Sequence, residues 1–95
     1  MEKLIKRHYQ AIKDRGLITK ETKFIDFSNK INEEKGELST ELLKLLKGKP
    51  NNYKQESIDL VMVVLNMLQY NGVDIKAELL KNIEVQEKRV KNKEI

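Results

Sequence analysis

The chain has no cysteine and no tryptophan, one proline, four glycines and only 5% aromatic residues. Without cysteine there is no disulfide framework and no thiolate metal site, which suits a reducing compartment. So little proline and glycine leaves long stretches unbroken, and helix-forming residues fill them. Long apolar runs are missing as well. The longest, 60–65, falls far short of the roughly 20 residues that cross a bilayer. The opening MEKLIKRHYQ has no apolar core of the kind a signal peptide needs. The expectation is a soluble, cytoplasmic protein.

Ninety-five residues suffice for one domain. It is read as an N-terminal helix and connection over 1–18, a helical core over 19–91 and a frayed tail over 92–95. A chain this small buries a modest fraction of its surface, and oligomerisation is a common remedy. Charged residues make up 36%, against about a quarter in an average protein, and the formal net charge is +4. That balance suits an anionic partner such as a triphosphate or nucleic acid. The lysines are nevertheless spread among almost as many acids, as on a solvated helical surface.

Periodicity predicts four helices and no strand, hence an all-α, four-helix bundle-like protomer completed by homo-oligomerisation. In the first, over 2–15, Leu4, Ile5, His8, Tyr9 and Ile12 form one apolar stripe, and Gly16 stops it. His8 has no second histidine or cysteine to share a metal and reads as a packing residue. Leu17 and Ile18 are expected to tuck under the second helix, which runs over 20–47 with Thr19 as N-cap. The turn around Pro50 leads to a third helix over 53–71, with Asn52 and Gln55 as a capping box. That helix is apolar on nearly every side between Ile58 and Leu68, so it is expected at the centre, partly covered by another subunit. Gly72 ends it, and Asp74 caps a fourth over 75–91.

The second helix breaks its own pattern. Its stripe runs Phe24, Phe27, Ile31, then Glu34, Leu38, Glu41 or Leu42, and Leu45. Glu34 stands where the period demands an apolar side chain, and Glu37 follows one turn on. A carboxylate on a core-facing stripe is expensive unless it is paired or bound to a metal. Failures of patterning of this kind mark functional positions. Gly36 between them offers room for a close neighbour. The third helix carries a matching pair, Glu56 and Asp59, also at i,i+3. Two helices joined by a short turn pack antiparallel, so four carboxylates can converge. Like charges gathered that closely call for a cation. The competing reading is an exposed face in which Glu33, Glu34, Glu37 and Glu41 alternate with Lys30, Lys35 and Lys44. Asn66 lies two turns past Asp59 on the same stripe, placed to orient a carboxylate, to bind a ligand, or to cap buried backbone.

The two acidic pairs, with eighteen residues between them, resemble the MazG-like all-α nucleoside triphosphate pyrophosphohydrolases. Glu33-Glu34-Lys35-Gly36-Glu37-Leu38 is similar to that family's EE-x-GEL stretch, and Glu56-Ser57-Ile58-Asp59-Leu60 to its E-x-x-D stretch. Asn71-Gly72-Val73-Asp74-Ile75 resembles its turn into a final helix. The resemblance covers roughly 22–89. It implies hydrolysis of a nucleoside triphosphate to the monophosphate and pyrophosphate in a nucleotide-pool or house-cleaning role. It also implies magnesium, with manganese as a substitute, and a homodimer or homotetramer. Glu34, Glu37, Glu56 and Asp59 would hold the metal, and Glu37 would take a proton from the attacking water. Lys30, Asn66, Lys81 and Arg89 would contact substrate, with Asn82 and Gln86 as alternatives on the last helix. Two other readings compete. One is a phosphoribosyl-ATP pyrophosphohydrolase, although Val61 to Val64 stand where that family tends to place a histidine after its second acidic pair. The other is a non-catalytic basic module for nucleic acid or a protein partner, for which no helix-turn-helix or arginine-rich helix speaks.

Overall fold

The computed structural model describes residues 1–93 and contains four helices, α1 (Glu2–Asp14), α2 (Phe24–Leu46), α3 (Tyr53–Tyr70) and α4 (Ile75–Lys91). No strand occurs among the described residues. The frayed tail expected over 92–95 lies in part, at 94–95, outside them. No single helix is long and apolar enough to cross a membrane.

Local chemistry explains the boundaries, and two of them differ from the expectation. Thr19 does not cap α2. Its hydroxyl accepts from the Glu21 amide, and its own amide donates to Thr22 Oγ1 at 2.8 Å, so it builds a separate turn. The helix starts later, where Asp26 Oδ2 accepts from the Lys23 amide at 2.8 Å. Asn52 does not form a capping box with Gln55 either, because Gln55 Nε2 donates to Asp59 Oδ1 instead. Asn51 Oδ1 accepts from the Tyr53 amide at 3.2 Å, and Glu41 Oε1 reaches across from α2 to accept from the Asn52 amide at 2.9 Å. Glu41 therefore ties the second half of α2 to the start of α3. At the last helix the expectation holds: Asp74 Oδ1 accepts from the Ala77 amide, and Gly72, at φ +67°, makes the left-handed turn before it.

α3 is the hub, in contact with α1, α2 and α4. The side chains of α2 most withdrawn from solvent are Phe27, Ile31, Glu34, Leu38 and Glu41, alternating steps of four and three. That is the seam of two helices packed side by side. Phe24 and Leu45 fall off it and are exposed, which corrects the stripe read from the sequence, and of Glu41 and Leu42 it is Glu41 that faces the seam. Tyr70, at the far end of α3, packs edge-on against Phe27 at 5.6 Å and donates to the Thr22 carbonyl at 2.9 Å. Ile5 of α1 and Ile18 of the connection complete the buried apolar set, whereas Leu17 and Leu4 stay exposed.

The chain by itself is open. α4 turns away from α3 through 117° and packs on no other helix among the described residues. Its apolar side chains Leu79, Leu80, Ile83 and Val90 are all exposed. α3 is half-buried and not enclosed, with Ile58 and Val61 uncovered. The radius of gyration is 16.2 Å, where a compact chain of this length has about 12 Å. The accessible surface is 7820 Å², roughly 2,000 Å² more than a compact monomer of this mass exposes.

Candidate metal centre

The seam between α2 and α3 carries acids at its middle. Glu34 is only 6% exposed, deeper than every apolar side chain among the described residues except Phe27. It gets there because it occupies the inward register position between Ile31 and Leu38. α3 runs back antiparallel and brings Glu56 and Asp59, both half-buried, against it. Glu34, Glu56 and Asp59 each offer an oxygen within 4.8 Å of the others. Glu33, Glu34 and Glu37 form a second such group on α2 alone. Glu34 belongs to both, so it joins the four acids picked out by spacing. Glu37 lies on the exposed side, apart from the α3 pair.

Electrostatics mark the cluster as short of positive charge. Burial pushes the Glu34 carboxyl above the ordinary carboxylate range. The Lys30 hydrogen bond opposes the shift, and the charge of Glu37 adds to it. Lys30 Nζ stands 3.2 Å from Glu34 Oε1 and 3.3 Å from Glu33 Oε1. Its pKa is raised: burial pulls it down, but the bonds to Glu34 and Glu33 prevail. One ammonium does not satisfy the site. Glu34 Oε2 and Glu56 Oε2 are buried with no hydrogen-bond partner. Buried oxygens are seldom left in that state, and each such group wants an explanation.

A hard divalent cation fits the donor set. Magnesium takes oxygen ligands at about 2.1 Å, so two ligands on one ion lie at most about 4.2 Å apart. Oxygens within 4.8 Å of one another reach that spacing by rotamer adjustment of flexible carboxylates. Glu34, Glu56 and Asp59 would hold the ion, with Glu37 at its solvent side.

The remaining candidates are placed as follows. Lys30 touches the cluster directly. Asn66 is 4% exposed, and its Nδ2 lies 3.2 Å from His8 Nδ1, so the half-buried histidine of α1 is its partner. Lys81 is exposed on α4 and pairs with Glu78 at 3.3 Å; Arg89 is exposed one helical stretch further on. Neither lines the cavity that Lys30 and Asn66 border. Gly36 has nothing within 4 Å of where a Cβ would stand, so the close approach expected there does not occur within the chain. Sequence reasoning gave Glu33 no ligand role, although its adjacency to Glu34 was the available signal. It also missed the bridge from Glu41 to Asn52, which no local spacing encodes.

No family model, curated protein or solved structure matches this chain.

Proposed function

We propose that this protein is a magnesium-dependent nucleoside triphosphate pyrophosphohydrolase of the MazG-like kind, yielding a nucleoside monophosphate and pyrophosphate. One observation carries the reading. Glu34, buried in a helix seam with one oxygen unpartnered, meets two acids from the opposing helix. Buried carboxylates short of partners are costly, and a cation among them would remove that cost.

Bound there, magnesium or manganese would neutralise phosphate charge and lower the pKa of a coordinated water. The chain's own residues do the rest. Glu34, Glu56 and Asp59, from two helices, would hold the ion. Gln55 holds Asp59 in place through a 3.0 Å hydrogen bond. Glu37, least engaged by α3, takes the proton from the water that attacks the α-phosphorus as the bond to the bridging oxygen breaks. Lys30, whose side chain is 48% exposed beside Glu34, would contact a substrate phosphate. No covalent nucleophile is needed.

The open shape supports a homodimer or homotetramer as the working form. The excess of about 2,000 Å² per chain matches what an obligate subunit hides in its interface. Lys81 and Arg89, exposed on α4, would act on phosphate from the neighbouring copy. The decisive assay measures pyrophosphate release from a panel of canonical and modified triphosphates with Mg²⁺. Glu37→Gln and Asp59→Asn should each lose at least about 100-fold in turnover, with helical content by circular dichroism unchanged. Normal rates in both variants would remove the metal centre from the mechanism.

A further inference from the structure

A cavity of about 240 Å³ opens where α1, the connection after it, α2 and α3 meet. Its walls include Ile12, Ile18, Phe27 and Val63, and two of its polar groups come from Asn66 and Lys30. Lys30 thus belongs to both places: it lines the cavity and stands 3.2 Å from Glu34. Along α3 the step from Asp59 through Val63 to Asn66 is seven residues, or about 10 Å at 1.5 Å per residue. A nucleotide laid along that line would put its phosphate at the acids, its sugar beyond and its ring at Asn66.

Asn66 is over nine-tenths buried and only half satisfied. His8 Nδ1 takes Nδ2, and Oδ1 has no partner. Exchanging the two atoms of the amide, together with the imidazole tautomer, would only move the vacancy to the other atom. A buried amide with one end free, facing a mostly apolar cavity, is the arrangement that reads a ligand edge. An asparagine amide offers acceptor and donor side by side, which is how it pairs with the edge of adenine. The cavity lies below the range of about 300–1,000 Å³ that encloses whole drug-sized ligands, so it admits a ring system but not a sugar and phosphates as well.

We propose that this cavity is the nucleobase pocket, with Asn66 reading the N–H edge of the base and His8 acting as the positioning residue that sets the amide. The proposal rests on the pyrophosphohydrolase reading for its biological sense, but it can be tested without catalysis. Cytidine, uridine, adenosine and guanosine, carrying no phosphate, are titrated into the wild-type protein without divalent metal. The readout is the NMR signals of the Asn66 side-chain amide and of the Ile12, Ile18 and Val63 methyl groups. At least one nucleoside should shift these signals saturably, and ribose 5-phosphate should not. Asn66→Ala should weaken that binding at least tenfold. Val63→Phe, which fills the cavity without removing a hydrogen bond, should weaken it equally should Asn66→Ala fail to fold. With the active protein, a base-free ribose 5-triphosphate should show a kcat/KM at least tenfold below the preferred nucleotide, mostly through KM.

Cavity signals that stay still with all four nucleosides would overturn the proposal, as would unchanged nucleoside affinity in Val63→Phe. Turnover indifferent to the base would overturn it too while leaving the pyrophosphohydrolase intact. Saturable nucleoside binding without any triphosphate cleavage would support the pocket and sink the enzyme instead.

Discussion

Replacing Glu34 by glutamine should stabilise the metal-free protein and abolish its response to magnesium. The two effects have opposite signs, and this makes the test discriminating. In the native chain one buried oxygen of Glu34 is unpartnered, and Glu37 adds like-charge repulsion. An unsatisfied buried polar group costs about 1–3 kcal/mol. Glutamine keeps the shape, removes the charge and supplies an N–H that can donate to Glu56, whose Oε2 is also unpartnered. Against this stands the loss of the ionic partner at Lys30, whose side chain is 48% exposed, so that the pair counts for about 1 kcal/mol or less. The net expectation is a gain of about 1 kcal/mol, or a Tm higher by about 4–8 °C in a domain of this size. Magnesium at 100 times its Kd should stabilise the native chain by about 2.7 kcal/mol and Glu34→Gln hardly at all. Thermal unfolding with and without Mg²⁺, at one fixed protein concentration, reads both numbers. A variant less stable than the native chain without metal, together with a native Tm that Mg²⁺ does not move, would refute the reasoning. Glu34 would then be an ordinary partner of Lys30.

Two more outcomes follow from the same structure. The Lys44 ammonium and the Asn52 amide hold the Glu41 carboxyl below its usual range; a depressed folded pKa gives stability that is present above the unfolded value of 4.5 and lost as pH falls through the folded one. Glu41→Gln should therefore lower stability at neutral pH and flatten its decline in acid, as read by denaturant midpoints between pH 7 and 2.5. On α4, Ile83→Asp should convert the proposed oligomer into monomers by sedimentation and lower Tm at a fixed concentration, because Leu79, Leu80 and Ile83 are uncovered among the described residues; a sedimentation coefficient the same as that of the native chain would refute a role of this stripe in assembly.

Much of this protein was decided along the chain. Gly16, Gly72 and Asp74 end and start helices wherever they stand, since a left-handed glycine and an N-cap carboxylate act within a few residues. The misplacement of Glu34 on an apolar stripe was equally legible, because a period of 3.6 is a property of one helix. The caps that failed, at Thr19 and Asn52, failed because other partners competed: Glu21 and Thr22 for the first, and Asp59 for Gln55 with the distant Glu41 at the Asn52 amide for the second.

What the chain order could not contain is how one helix registers on another. Spacing puts Glu56 and Asp59 on one face of α3, but only the antiparallel docking of α3 on α2 sets them opposite Glu34 and leaves two oxygens unpartnered. The docking of α1 on α3 makes His8 the partner of Asn66 across 58 residues, and α1, α2 and α3 together open the cavity beside them. The departure of α4 at 117° likewise belongs to the packing of the whole. A helix fixes its own faces through hydrogen bonds four residues apart; which face meets which depends on contacts between residues dozens apart, and those exist only once the chain has folded.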